Sequence, residues 1–284
     1  MIISKEFSPS MSKFKELNKR LNYLLNLERQ VVGITFLHSR EAFLQHPAPK
    51  YQKLIPYCGA VQKATQGEQM KLDLSNFACP ASAVAMGLVD NDDYSASGEK
   101  HANMKVYKDI EVSKQVADDM VYRQEAAYGI AIEPIETWTQ APDIVLLITV
   151  PYNAMRILQG NAFHFGQVKQ MKMTGMQALC QEATSYPFEM DEINVSMMCS
   201  GTRYVARWKD EELCIGIPYH KFEQVIDGLE QTLNPMELLE KKRQIIKKTA
   251  DNDEADFYDV RKRENYFRGA YQGVKREGRV HDQD

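Results

Sequence analysis

Between residues 11 and 28 the apolar positions Phe14, Leu17, Leu21, Leu24 and Leu25 recur at helical spacing, with charged residues between them. This predicts an amphipathic helix. "QVVGITFL" (30–37) then reads as a strand, and the Pro-rich segment after it as a loop with a short helical turn. "YCGAVQKATQG" reads as a helix stopping at Gly67, and "QMKLDL" alternates as a strand would. "ACPASAVAMGL" is rich in small residues and predicts a helix, with Cys79 at its start and Pro80 in its first turn. A polar loop covers 90–104, and a helix is expected over 112–125. "APDIVLLITVP" (141–151) is nearly continuous in apolar residues, which suits a strand covered on both faces. The helices "YNAMRILQGNAFHFG" and "GMQALCQEATSYP", the strands "INVSMMC" and "ELCIGIP", and the helix "KFEQVIDGLEQTL" follow.

This alternation predicts an α/β or α+β fold built on a mixed sheet with flanking helices. From Pro235 the chain becomes charge-dense, "EKKRQIIKKTADNDEADFYDVRKREN". One α/β domain over 1–234 is therefore expected, with a charged helical extension or tail over 235–284.

Composition narrows the function classes. A net charge of -4 gives no electrostatic case for nucleic-acid binding. No apolar run approaches the roughly 20 residues that a membrane helix needs. The N-terminal stretch lacks a signal-peptide core with a cleavage site, so the expected compartment is the cytoplasm. There, five cysteines read as core thiols, catalytic thiols or metal ligands rather than a disulfide framework. The methionines near them, Met173, Met176, Met197 and Met198, read as core filler, with a soft-metal role as the alternative.

Two segments resemble each other. "YCGAVQKATQGEQMKLDLSNFACPASA" and "LCQEATSYPFEMDEINVSMMCSGTR" each carry a cysteine in a short helix, a strand, and a second cysteine before small residues. The separations are 21 residues for Cys58 to Cys79 and 19 for Cys180 to Cys199. The segments could be a degenerate internal duplication. Folded about a pseudo-twofold axis, they could bring four sulfurs to one centre, for zinc or an iron–sulfur cluster. The alternative is four buried thiols acting as small hydrophobes. Cys214, in an alternating strand, reads as a core thiol.

Seven motifs in order carry a resemblance: "VGITFL", "YCGAVQKATQG", "ACPASAVAMGL", "PDIVLLITVPYNAMRILQG", "ALCQEA", "INVSMMCSGTR" and "DEELCIGIP". Over roughly 30–230 the chain resembles the family catalogued as domain of unknown function one-six-nine, which has no established activity to carry over. The resemblance implies a four-cysteine pattern at Cys58, Cys79, Cys180 and Cys199, and it supports the core reading of Cys214.

For that set an iron–sulfur cluster of the 4Fe-4S type is the preferred cofactor, with zinc as the alternative. Three further residues are candidate substrate contacts. Arg203 could hold a carboxylate or phosphate, against an ion pair with Glu211 or Glu212. Asn153 and Arg156 open the helix after the apolar strand, at a carboxyl end where ligands gather in open α/β sheets. Gly201 could let the backbone approach a cluster. His164 reads as a satisfied histidine and Glu182 as helical surface. The function expected is a cytoplasmic iron–sulfur redox protein or oxidoreductase, with a small-molecule substrate or an electron-transfer partner. A zinc-binding or metal-free ligand-binding protein, or a thiol-dependent enzyme, is the alternative.

Overall fold

The computed structural model describes residues 9–232. The expected boundary at 234 and the extension over 235–284 lie outside the described residues. Helix α1 (Pro9–Leu25) leads to β1 (Val32–Leu37), α2 (Arg40–Gln45), α3 (Tyr57–Ala64) and β2 (Met70–Asp73). Four short helices follow: α4 (Pro80–Ala85), α5 (Asp93–Ala96), α6 (Glu99–Asn103) and α7 (Ile110–Asp119). Then come β3 (Gly129–Pro134), β4 (Ile144–Thr149) and α8 (Pro151–Phe165). A π-helix (Ala178–Ser185), α9 (Tyr186–Met190), β5 (Asn194–Ser196), α10 (Ser200–Ala206), β6 (Leu213–Pro218) and α11 (Tyr219–Gln231) complete the order.

The strands form one sheet in the order β2-β3-β1-β4-β6-β5. Every ladder between them is antiparallel. The fold is therefore α+β, and among the described residues parallel pairing is confined to isolated bridges at Lys50–Lys71 and Ile55–Phe77. The mixed sheet expected from the alternation of strands and helices is corrected on this point, since all five ladders are antiparallel. Ile144, Leu146 and Ile148 enter one apolar layer, with α3, α4 and the π-helix, while Val145 and Leu147 enter the other, with α1, α8 and α11. A central strand covered on both faces loses the polar alternation that usually marks an antiparallel sheet.

The order has two matching halves. β1, β2 and β3 lie as 2-3-1 on one side, and β4, β5 and β6 mirror them on the other. The registers match too: Val32 lies opposite Pro134 in the first half, and Ile144 opposite Pro218 in the second. The topology is that of a pseudo-twofold centred between β1 and β4, which pair with Gly33 opposite Val145.

On one face, the buried stripe Phe14, Leu17, Leu21 and Leu25 seats α1, as its spacing predicts. On the other, the π-helix lies directly on the sheet. A Cβ on Gly216 of β6 would meet the Ala183 carbonyl oxygen at 1.9 Å, so only glycine admits this approach. Among the described residues no helix is long and apolar enough to cross a membrane.

Candidate functional site: a pocket walled by four cysteines

Cys58, Cys79, Cys180 and Cys199 all line one cavity of about 470 Å³. They arrive on four separate segments, two from each half of the sheet. Cys58 sits in the first turn of α3 and Cys180 in the first turn of the π-helix. Cys79 is the N-cap of α4 and Cys199 the N-cap of α10. None of these four helix starts has a side-chain capping bond. Each thiol thus lies beside the backbone N–H groups that a helix start leaves without an intrahelical partner.

The thiols feel one another. Burial, and then charge on Cys199 and Cys79, push the Cys58 thiol up to about 12, against the pull of the Gly59 and Cys58 backbone N–H groups. Burial raises Cys180 further; a Ser82 hydrogen bond opposes this, and the other three cysteines add to it. Thr202 Oγ1 lies 3.0 Å from Cys199 Sγ. Gly201 also lines the cavity, and a Cβ there would meet only Cys199 Sγ, at 3.8 Å. Among the described residues no group of three or more His, Cys, Asp or Glu side chains is placed so as to hold a metal ion.

The remaining candidates lie elsewhere. Arg203 donates to the carbonyl oxygens of Lys209, Met197 (3.1 Å) and Glu212 (2.7 Å). It therefore makes neither of the ion pairs weighed for it, because the Glu212 carboxylate is taken by Arg29. Asn153 donates to the Leu25 carbonyl and to Thr149 Oγ1, both at 3.0 Å. Arg156 is buried and donates to the Leu229 carbonyl at 3.0 Å, tying α8 to α11. Asn153, Arg156 and Arg203 do not line the cysteine cavity. His164 faces Asp227 at 2.7 Å. Cys214 is fully buried in β6 and acts as core. Of the four methionines, only Met176 lines the cavity; Met198 is buried, and Met173 and Met197 are exposed.

Three wall residues escaped sequence reasoning. His101 and Gln177 line the cavity, as does Tyr57, whose hydroxyl meets Thr184 Oγ1 at 2.8 Å. His101 lies in the stretch read as a polar loop, and α5 and α6 give it structure. Burial, and then Lys100, lower its pKa. Glu182 corrects the surface reading: it is fully buried. No periodicity marks it, because every residue of the π-helix is buried.

A model of the family described as "Uncharacterised ArCR", DUF169, matches residues 20–228. The "Uncharacterized protein MJ0308" of Methanocaldococcus jannaschii is 24% identical over 225 residues, which is 78% of this chain and 95% of that protein. No solved structure matches.

Proposed function

We propose, for a chain that belongs to the DUF169 family, that Cys58, Cys79, Cys180 and Cys199 hold an iron–sulfur cluster in the wall of a small-molecule pocket. The protein is then a cytoplasmic redox protein or oxidoreductase, taking a small-molecule substrate or an electron-transfer partner. The observation that carries this reading is the convergence of four thiols, from four distant segments, on one cavity.

Three physical points support it. Burial and the charge of neighbouring thiols raise the Cys58 and Cys180 thiols, so these two need cationic charge nearby to become thiolates. No Lys or Arg lines the cavity, and a metal centre would supply that charge in addition to the helix-start N–H groups. Single-ion chelation by zinc wants four sulfurs about 2.3 Å from one point. Thiols spread around a cavity suit a polynuclear cluster better, since each binds a different iron. The cluster, when bound, supplies electron transfer, or Lewis acidity at an iron without a cysteine. The chain's own part is to supply the thiols, to hydrogen-bond sulfur from Ser82 and Thr202, and to surround the site with apolar wall.

The thiol-enzyme alternative is weaker. A nucleophilic cysteine needs a lowered pKa, and Cys58 and Cys180 move the other way. Anaerobic reconstitution with iron and sulfide tests the proposal. The expected result is a brown protein with stoichiometric iron and sulfide, bleached by dithionite. Changing Cys58, Cys79, Cys180 or Cys199 to Ser should lower its iron content. A colourless, iron-free product from folded protein would overturn the reading, and stoichiometric zinc in its place would favour the alternative.

A further inference from the structure

The two cysteines that cap helices share a short motif. Cys79-Pro-Ala-Ser82 opens α4 and Cys199-Ser-Gly-Thr202 opens α10, so each N-cap cysteine is followed three residues later by a hydroxyl. A side chain at that helical position can reach back toward the N-cap, as in a capping box. Helix α4 follows the edge strand β2 and α10 follows the edge strand β5, so the motifs occupy matching places in the two halves.

Both residues line the cavity and both are buried, Ser82 at 6% exposure and Thr202 at 2%. Thr202 Oγ1 has one hydrogen-bond partner among the described residues, Cys199 Sγ at 3.0 Å. Ser82 hydrogen-bonds the Cys180 thiol of the other half. The Tyr57 hydroxyl on the same wall makes the contrast, since it takes an oxygen partner, Thr184, at 2.8 Å. The frame behind Cys199 fixes its contact. Met198 holds left-handed backbone at φ 67°, unusual for a non-glycine residue, and its N–H donates to Ser196 Oγ at 3.2 Å. Ser196 in turn donates to the buried Glu182 carboxylate at 2.6 Å.

A thiol is a poor partner for a buried hydroxyl. It is a weak donor and a weak acceptor, so a hydroxyl desolvated against it recovers little. A sulfur carrying negative charge is a strong acceptor, and a hydroxyl bond to it is charge-assisted. Two buried hydroxyls directed at sulfur are therefore placed for its charged form. Such a bond strengthens further when an electron is added, because hydrogen bonds to the sulfurs favour the more negative, reduced state of an iron–sulfur centre.

We propose that the Ser82 and Thr202 hydroxyls set the reduction potential of this site: each donates to a cysteine sulfur, Cys180 or Cys199, and stabilises it more as its negative charge grows, so that the two together make the centre easier to reduce. This rests on the reading above that the four thiols hold an iron–sulfur cluster, and it makes the two hydroxyls tuning groups rather than ligands.

The test uses the full chain and three variants, Thr202→Val, Ser82→Ala and the hydroxyl-keeping Thr202→Ser. After anaerobic reconstitution, a redox titration followed by visible absorption should place Thr202→Val and Ser82→Ala below the unaltered protein. Each should fall by about fivefold in the one-electron equilibrium constant, the size expected of one hydrogen bond. Iron and sulfide content should not change, and Thr202→Ser should keep the unaltered potential. The metal-free, reduced protein gives a second reading. Alkylation of Cys199, located by mass spectrometry, should slow in Thr202→Val because its thiolate loses a donor, whereas loosened packing alone would speed it. Full iron content with potentials unmoved or raised overturns this inference alone. A folded but iron-free unaltered chain overturns the cluster reading, and unchanged or faster alkylation would then overturn the hydroxyls' role as well. Should Thr202→Val not fold, the potential of Ser82→Ala and the alkylation of its Cys180 decide.

Discussion

The fully buried Glu182 carboxylate accepts the Ser196 hydroxyl at 2.6 Å, joining the π-helix that carries Cys180 to the strand that runs toward Cys199. It also accepts the backbone N–H groups of Thr174, at 2.6 Å, and Gly175, at 3.1 Å. One acidic side chain thereby orders the loop leading to Met176 and Gln177 on the cavity wall. Glu182→Gln puts an amide N–H where only acceptors are wanted. We expect a loss of about 2–3 kcal/mol in urea unfolding and faster alkylation of Cys180 and Cys199 in the metal-free protein. Unchanged stability and unchanged thiol reactivity would remove Glu182 from this positioning role.

The Cys58 thiol makes stability depend on alkaline pH. Its pKa is about 12 in the folded chain, against 9.0 for an ordinary thiol, with burial the main cause. Above the ordinary value the unfolded chain releases this proton while the folded chain keeps it. The contribution is therefore intact below pH 9 and is lost as pH climbs toward 12. Urea midpoints of the metal-free protein should fall between about pH 8.5 and about pH 10.5, and Cys58→Ser should flatten that fall. Parallel slopes for the two proteins would contradict the assignment.

Arg156 is a structural clamp rather than a cavity contact. Besides Leu229, it reaches the Thr232 carbonyl at 3.3 Å and Gln159 Oε1 at 2.6 Å. The helices it joins run so close that a Cβ on Gly228 would meet the Gly160 carbonyl oxygen at 2.1 Å. Arg156→Leu removes the guanidinium donor from the Leu229 carbonyl, leaving it only the Thr232 hydroxyl at 3.3 Å, and should cost about 1–3 kcal/mol of stability. Iron uptake per folded molecule should stay at the unaltered level. Selective loss of iron from a stable Arg156→Leu protein would return this residue to the site.

The contrast between Arg156 and Cys58 shows what was legible in the chain. The apolar stripe of α1, the continuous run of β4 and the paired cysteines each reflect a local rule, and each element is where its pattern puts it. The carboxyl-end rule that suggested Asn153 and Arg156 belongs to open α/β sheets; here β4 is antiparallel to both neighbours. Strand β3 passed unnoticed because "GIAIEP" is short and mixes Gly, Glu and Pro with its isoleucines. Helix α10, "SGTRYVA", begins with weak helix formers and takes hold through Arg203, which binds three carbonyls around it. His101 and Gln177 were out of reach, since only the folded chain brings them to the cavity wall.

Two glycines of the second half should respond oppositely to alanine. At Gly216 the new Cβ would lie 1.9 Å from the Ala183 carbonyl oxygen and 2.9 Å from Pro187 Cγ, and backbone cannot yield as a flexible side chain can. Gly216→Ala should therefore push the π-helix off the sheet and cost about 1–3 kcal/mol or more. Displacing Cys180 with that helix, it should also lower iron uptake. At Gly201 the added methyl meets only Cys199 Sγ at 3.8 Å, on helical backbone with no positive φ. Gly201→Ala should leave stability unchanged or raise it by about 0.4–1 kcal/mol, while the methyl takes up cavity space beside Cys199. Chemical denaturation of both variants, read beside iron content, separates the residue that positions the helix from the one that only borders the cavity. Equal destabilisation by the two substitutions would show that the space before Gly201 belongs to the protein's own packing.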